Sequence, residues 1–395
     1  MNDYDDSQSN KWYDDESEAE NETEGYPIDN YEITATPNDF NIITIFNFIE
    51  SGSIKIPGFQ RNYVWDIKRA SKLIESLIIG LPVPQIFLYE EARNKFLVID
   101  GQQRLMSIYY FIKQRFPREQ KRAELRTIFE KEGKIPENIF NNDDYFAKFN
   151  LHLPEQVPGQ KNKFNKLNYN TLSDYKTSFE LRTIRNVIVK QLSPQDDDSA
   201  IYEIFNRLNS GGINLKPQEI RMSLYHSEFL EMLARINNVK KWRELVGVGN
   251  ADIHMKDIEF ILRGFAMLIN GDNYVAPMTK FLNSFARKTN KFKKDNIDYF
   301  ENLFTSFLGS CNSLSRNDFV ISANRFSITI FESIFAGTCS SFFKNQSTIT
   351  GKIDNSSVQE LRKKEEFKKS ITGKTTNTKL VKQRLSIAKS AIKIV

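Results

Sequence analysis

The sequence predicts an α+β protein, with a mixed α/β region in the first half of the chain and a mainly helical region after it. Residues 36–116 alternate apolar residues at helical spacing with short extended runs, and beyond residue 196 the helical periodicity is almost unbroken. Ahead of both lies an acidic stretch in which too few apolar groups recur to offset the entropy of ordering them.

That stretch also polarises the charge. Residues 1–32 hold twelve Asp or Glu against the single base Lys11, so the formal +5 of the 395-residue chain conceals +16 over the remainder. Residues 1–32 read as a disordered acidic tail, either simply solvated or lying on the protein's own basic surface when nucleic acid is absent. A basic body suits phosphate-rich partners such as nucleic acid, although surface lysines also serve solubility. The two cysteines, Cys311 and Cys339, make neither a disulfide framework nor a metal-ligand spacing, which fits a cytoplasmic protein. The first twenty residues lack the basic start and apolar run of an export signal, and the most apolar stretch, 258–269, is interrupted by Glu259, Arg263 and Gly264, so no membrane association is expected.

Element by element, a helix is predicted over 38–50, with Ile42, Ile45, Phe46 and Ile49 on one face, followed by an extended segment at 54–57. Asp66 has the character of an N-cap, Ile67, Ala70, Ile74, Leu77 and Ile78 follow at helical spacing, and Gly80 is the stop. Pro82 and Pro84 fix the approach to a strand at 85–89; a second strand at 95–99 runs into Asp100-Gly101-Gln102-Gln103-Arg104 and a helix with Leu105, Ile108, Tyr109 and Ile112 on its face. The polar residues 117–176 suit an insertion or lid, and 179–184 and 187–189 read as strands. Helices are then predicted from 196 to about 208, with Ile201, Ile204, Phe205 and Leu208 on one face, and at 217–236, 252–269, 276–289, 294–309, 318–336 and 377–394. The organisation expected is a tail over 1–32, a mixed domain over 33–195 with the insertion near 117–176, a helical domain over 196–345 and a basic segment over 346–395 ending in a helix.

The residues with most chemistry sit where a strand turns into a helix. Such a turn gathers backbone N–H groups and the positive end of a helix dipole, an arrangement suited to phosphate. Gly101 lets a ligand approach the backbone, Arg104 can fork two phosphate oxygens, Gln102 and Gln103 bring amides, and Asp100 can ligate Mg²⁺ or hold Arg104 in place. The same five residues also make an ordinary capped turn with a salt bridge. In Phe59-Gln60-Arg61-Asn62-Tyr63-Val64-Trp65-Asp66, Arg61 offers another phosphate fork, and Tyr63 or Trp65 either stacks on a base or closes the core, the core being the better account of Trp65. A third cluster, Phe205-Asn206-Arg207-Leu208-Asn209-Ser210-Gly211-Gly212, pairs a helix stop with the polar groups Asn206, Arg207 and Asn209. The three histidines, His152, His226 and His254, are scattered, and neither a Gly-x-x-x-x-Gly-Lys-Ser/Thr loop nor a nucleophile elbow is present.

Three runs in order, Ile56-Pro57-Gly58-Phe59-Gln60-Arg61-Asn62-Tyr63-Val64-Trp65, Ser76-Leu77-Ile78-Ile79-Gly80-Leu81-Pro82-Val83-Pro84 and Val98-Ile99-Asp100-Gly101-Gln102-Gln103-Arg104-Leu105, resemble the N-terminal domain of the GmrSD family of modification-dependent restriction enzymes. Ile204 to Gly212 and Gln218-Glu219-Ile220-Arg221 extend the likeness to about residue 270. The resemblance implies a ParB/sulfiredoxin-like fold for 33–195 and an NTP-binding site with hydrolysis in some relatives, with Mg²⁺ as the cation hydrolysis would need. It makes Asp100, Gln102, Gln103 and Arg104 the catalytic candidates, with Asp100 also the metal candidate. It makes Gln60, Arg61, Gly101, Arg104, Asn206, Arg207 and Asn209 the nucleotide-binding candidates. Such relatives often add a C-terminal His-Asn-His-type nuclease, whereas residues 270–395 contain no histidine, so cleavage by this chain alone is not expected and a nuclease partner subunit is.

The function expected is therefore an NTP-binding, NTP-hydrolysing component of a bacterial or phage-related DNA restriction system. The competing reading is a noncatalytic module that binds DNA or protein and uses the turn as scaffold. On the last predicted helix, Val381, Leu385, Ala388 and Ile392 form an apolar stripe that leaves Lys382, Arg384, Lys389 and Lys393 on its flanks as nucleic-acid candidates.

Overall fold

A computed structural model describes residues 12–14, 32–56, 63–122, 124–125, 128, 135–155, 160–193, 204, 216–252, 254–321 and 325–395. The chain forms two compact units, Ile28–Leu215 and a second made of Met1–Pro27 together with Lys216–Val395. The first strand, β1 (Tyr13–Asp14), lies in the acidic segment and belongs to the second unit. Of the stretch expected as a disordered tail, residues 12–14 are described, with β1 paired in parallel with residues 326 and 327, while residues 1–11 and 15–31 lie outside the described residues.

The first unit is built on β2 (Glu32–Asn41), α1 (Ile42–Glu50), β3 (Ile54–Lys55), α2 (Ile67–Ile79), β4 (Ile86–Ala92), β5 (Lys95–Asp100), α3 (Gln102–Ile112), β6 (Arg115–Pro117), α4 (Glu137–Phe140), β7 (Phe146–Lys148), α5 (Tyr175–Glu180) and β8 (Thr183–Ser193). Five strands form one mixed sheet in the order β2-β8-β4-β5-β3: β8 runs antiparallel to β2 and parallel to β4, and β5 runs antiparallel to β4 and parallel to β3. Residues 38–41, expected as the first turn of a helix, instead complete β2 by pairing with Asn186 to Thr183. The Asn41 side chain accepts from the Thr44 amide at 2.9 Å and starts α1 there. Helix α2 follows its sequence signals closely: Asp66 accepts from the Arg69 amide at 2.7 Å, and Gly80 stops the helix at φ 84°.

The strands expected at 179–184 and 187–189 are corrected. Residues 175–180 are helix, and a single eleven-residue strand replaces the two short ones, because β8 is paired on both sides and is not interrupted at Arg185-Asn186. Within the polar stretch 117–176, expected as an insertion or lid, the described residues Phe140, Phe146, Phe149, Leu151, Leu153, Phe164 and Leu172 are buried in the same apolar core as Ile74, Leu105 and Phe111. Its polarity reflects the loops between those anchors. Their backbone is tied to the rest of the unit, as where the His152 amide donates to Ser71 Oγ at 2.8 Å.

The second unit is helical: α6 (Pro217–Leu224), α7 (Glu228–Ile236), α8 (Lys240–Val246), α9 (Lys256–Asn270), α10 (Met278–Thr289), α11 (Lys294–Ser310), the short strand β9 (Phe326–Ser327), α12 (Ile328–Lys344), α13 (Asn355–Lys363), α14 (Glu365–Ile371) and α15 (Thr378–Ala391). The helix expected over 217–236 breaks in two because Ser227 caps α7, its side chain accepting from the Leu230 amide at 3.3 Å. The helix expected over 318–336 starts instead at Ile328, which Ser327 caps. Helices α9 and α12 form the centre, buried over most of their length. Gly337 of α12 sits where an added Cβ would lie 2.9 Å from the backbone of Ala388, so its lack of a side chain is what lets α15 approach.

That close docking corrects one nucleic-acid candidate. Arg384 is fully buried: its Nε donates to Glu332 Oε1 at 2.7 Å and its Nη1 to the carbonyls of Ser370 and Thr375, while Arg263 Nε donates to the other oxygen of Glu332 at 2.5 Å. The helix turns Arg384 inward with Val381, Leu385 and Ala388, and a buried carboxylate fixes it there. Lys382 and Lys393 are exposed, and Lys389 pairs with Asp272 at 2.9 Å.

Candidate nucleotide-phosphate site

Sheet order brings β5 between β4 and β3, so its C-terminal end opens beside the start of β4 and feeds directly into α3. The turn between β5 and α3 is a single residue, Gly101, at φ 100°, a left-handed conformation that costs a residue with a Cβ about 1–2 kcal/mol. Space forbids a side chain as well, since a Cβ there would lie 2.4 Å from Ile86 Cγ2. Gly101 is also the N-cap of α3, and so the cap position supplies no side-chain acceptor of its own.

On either side of this turn stand Asp100 and Arg104. Arg104 Nη2 donates to Asp100 Oδ2 at 2.8 Å and to the carbonyl of Gln85 at 3.0 Å, while its Nε is buried with no hydrogen-bond partner among the described residues. The guanidinium is held at one edge: the ion pair spans one helical turn and the Gln85 carbonyl ties it to the start of β4. The Asp100 side chain remains 41% exposed, against 17% for Arg104, so solvent reaches the carboxylate more readily than the base. The described residues contain no cluster of three or more His, Cys, Asp or Glu able to hold a metal. Any Mg²⁺ here would rest on the one carboxylate of Asp100 together with phosphate oxygens and water, a pattern usual for that ion.

The two glutamines divide. Gln102 opens α3 and is half-buried. Gln103 Oε1 accepts from the amide of Val64 at 2.9 Å and of Trp65 at 3.4 Å, so this side chain holds the segment entering α2 against the first turn of α3. A hydroxyl contact continues the same seam: Tyr63 Oη and Ser107 Oγ lie 2.8 Å apart, and Ser107 Oγ donates to the Gln103 carbonyl at 2.7 Å. Burial pushes the Tyr63 phenol above its ordinary pKa, which keeps it protonated. Tyr63 closes the core, edge-on to Tyr110 and Phe116, and half-buried Trp65 carries the Arg69 guanidinium 4.7 Å from its ring centroid. Sequence reasoning missed Tyr63 and Ser107 as a clamp; their signal, a buried phenol and a helix-face serine, is shared with any packed core.

Arg122 joins this seam from beyond β6. It donates to the Trp65 carbonyl at 2.9 Å and lies 5.3 Å from the Tyr63 ring centroid. The structure therefore brings together Asp100, Gly101, Gln102, Gln103 and Arg104 at one turn and anchors residues 63–65 to it. Gln60, Arg61, Asn206, Arg207 and Asn209 lie outside the described residues. The histidines make no centre: His254 Nδ1 is 3.2 Å from Glu219 Oε2, and His226 Nε2 is 3.0 Å from Glu231 Oε1. Among the described residues no helix is long and apolar enough to cross a membrane.

Comparison with known proteins bears on the same region. An uncharacterized protein of Methanocaldococcus jannaschii is 23% identical, the match taking in 52% of this chain and 43% of that protein, so the chain spans about two-fifths of the length of this relative. Residues 42–226, which enclose α1, the central strands, the Asp100–Arg104 turn and α6, match the model described as GmrSD restriction endonuclease, N-terminal domain. This stretch, a little under half of the chain, is thus similar to the GmrSD N-terminal domain.

Proposed function

We propose that the Asp100–Arg104 turn binds the phosphates of a nucleoside triphosphate and that the protein serves DNA restriction as an NTP-binding, NTP-hydrolysing component. The observation that carries the reading is the side-chain-free N-cap at Gly101, set at the end of a central strand with Arg104 anchored beside it. Backbone amides at the start of α3 and its dipole favour an anion at that point, and a guanidinium gripped along one edge is already oriented, so less freedom is lost when it meets phosphate. In this reading Asp100 has two tasks, orienting Arg104 through Oδ2 and offering its other oxygen to Mg²⁺, which when bound would neutralise phosphate charge. Gln102 is the candidate for orienting water. Gln103 is a positioning residue that fixes residues 64 and 65, and Gln60 and Arg61 are retained as further nucleotide-binding candidates. Asn206, Arg207 and Asn209 are proposed to complete the site; an Asn209→Ala variant should then lose NTPase rate while keeping its melting temperature. A stability loss with normal turnover would return Asn209 to the role of a helix stop.

DNA and a nuclease partner subunit are the proposed partners, in keeping with the family and with the basic body of the chain. Lys382 on α15 and Lys393 just beyond its end remain the nucleic-acid candidates, and Lys389 would have to leave Asp272 to join them. One observation favours a second reading, in which the turn is scaffold for a noncatalytic binding module: Arg104 is already satisfied at Nη2 by Asp100 and Gln85. Nucleotide binding measured with and without Mg²⁺ decides between them, since the scaffold reading predicts none at this turn.

A further inference from the structure

The acidic N-terminal segment is not uniform. Trp12, Tyr13 and Asp14 make a set of contacts with the helical unit that resembles recognition of a short extended peptide. The carbonyl of Trp12 accepts from the Phe326 amide at 3.0 Å, and Tyr13 and Asp14 pair in parallel register with Phe326 and Ser327. The Trp12 indole donates through Nε1 to Asp252 Oδ2 at 3.0 Å. Phe260 of α9 receives both rings edge-on, Trp12 at 5.5 Å and Tyr13 at 5.6 Å between centroids, and Lys256 Nζ lies 5.4 Å from the Tyr13 ring centroid.

The receiving surface is assembled without the segment. Asp252 Oδ1 accepts from the amides of His254 and Lys256 at 2.8 and 3.3 Å, and the Asp252 amide donates to Asp257, so the carboxylate that meets the indole is oriented by the start of α9. Phe260 stacks on Phe326, which packs against Trp242 in the core, and Ser327 is fixed as the N-cap of α12. An extended backbone at Phe326 and Ser327, with Phe326 bridged to Val320, an aromatic floor, an indole acceptor and a cation are the parts that β-addition of a peptide uses, backbone bonds supplying affinity and side-chain contacts supplying specificity.

We propose that Asp252, Lys256, Phe260 and the β9 edge form a peptide-recognition slot for an extended Trp-Tyr motif, occupied by the protein's own Trp12-Tyr13 and continued by the backbone of Asp14. Tethering keeps the slot filled, because a covalently linked ligand acts at a high effective concentration. The slot should therefore bind the same motif supplied separately once the tethered copy is disabled.

The test uses full-length Trp12→Ala/Tyr13→Ala protein and a fluorescein-labelled peptide of residues 8–18, with binding followed by anisotropy. Saturable binding is expected, competed by unlabelled peptide, weakened at least tenfold when the peptide carries Trp12→Ala, and at least tenfold weaker to the unsubstituted protein. Hydrogen exchange reads the same event independently: the Phe326 amide should exchange faster in the double variant and slow again on adding peptide. Should the double variant not fold, full-length Trp12→Phe, which removes the indole donor alone, takes its place and should bind the peptide more tightly than the unsubstituted protein does. Absence of saturable binding to the folded variant, or equal binding to the unsubstituted protein, overturns the proposal. A dimer of the unsubstituted protein that dissociates in the double variant would overturn the assignment of the slot to its own chain and give it to a second copy.

Discussion

At the scale of single residues, Gly101 and Arg104 carry opposite expectations. A Gly101→Ala variant meets both a left-handed φ and the Ile86 side chain, and should lose about 2–4 kcal/mol of stability by denaturant titration. Arg104→Ala leaves an Asp100 carboxylate that is well solvated, so its melting temperature should hardly change, while nucleotide affinity should fall by about 1.5–3 kcal/mol if a charge-assisted bond is lost. Arg104→Lys should not restore the affinity, because an ammonium cannot keep Asp100 and Gln85 on one edge and phosphate on another. The sequence made this turn legible because a strand, an Asp-Gly pair and a helix-spaced apolar face adjoin within a few residues. It did not reveal that Gln103 would accept from residues 64 and 65, since that bond joins positions 39 apart and leaves no local pattern.

At the scale of elements, what could be read was decided by where the side-chain signals were local. The start and stop of α2 were legible from Asp66 and Gly80, whereas the start of α1 was not, because residues 38–41 are taken into β2 by pairing with β8, a partner about 145 residues away. Helices α8, α13 and α14 are short and their apolar faces are narrow, so periodicity alone passed over them. The basic flanks of α15 were misread for a related cause: helical spacing places Arg384 beside the apolar stripe, and only the buried Glu332 on α12 decides that it turns inward. An Arg384→Ala variant should consequently lose about 3 kcal/mol or more of stability, by the removal of one partner from a buried ion network. Any loss of DNA affinity in that variant should disappear when measured per folded molecule, in contrast to Lys382→Ala and Lys393→Ala.

At the scale of the whole molecule, charge and chemistry are separately testable. If the acidic segment competes with nucleic acid for a basic surface, replacing Asp15, Glu16, Glu18, Glu20, Glu22 and Glu24 by their amides, with Trp12 to Asp14 left intact, should tighten DNA binding. The gain should be largest at low salt, where screening is weakest, and the log-log salt slope should steepen toward about 0.9 per phosphate contacted on duplex DNA. Equal binding at every salt concentration would make the segment electrostatically idle. The purified chain should leave modified DNA uncut in the presence of Mg²⁺, and metal-dependent cleavage abolished by a substitution within 270–395 would reveal a site absent from the present account. The phosphate site proposed at the β5–α3 turn is tested by calorimetric titration of the full-length protein with a panel of nucleoside triphosphates, with and without Mg²⁺, beside its Arg104→Ala variant. Saturable binding of at least one triphosphate is expected, weakened at least tenfold by the substitution in a protein that melts normally. Equal affinity in the two proteins, or no binding of any triphosphate, would contradict it.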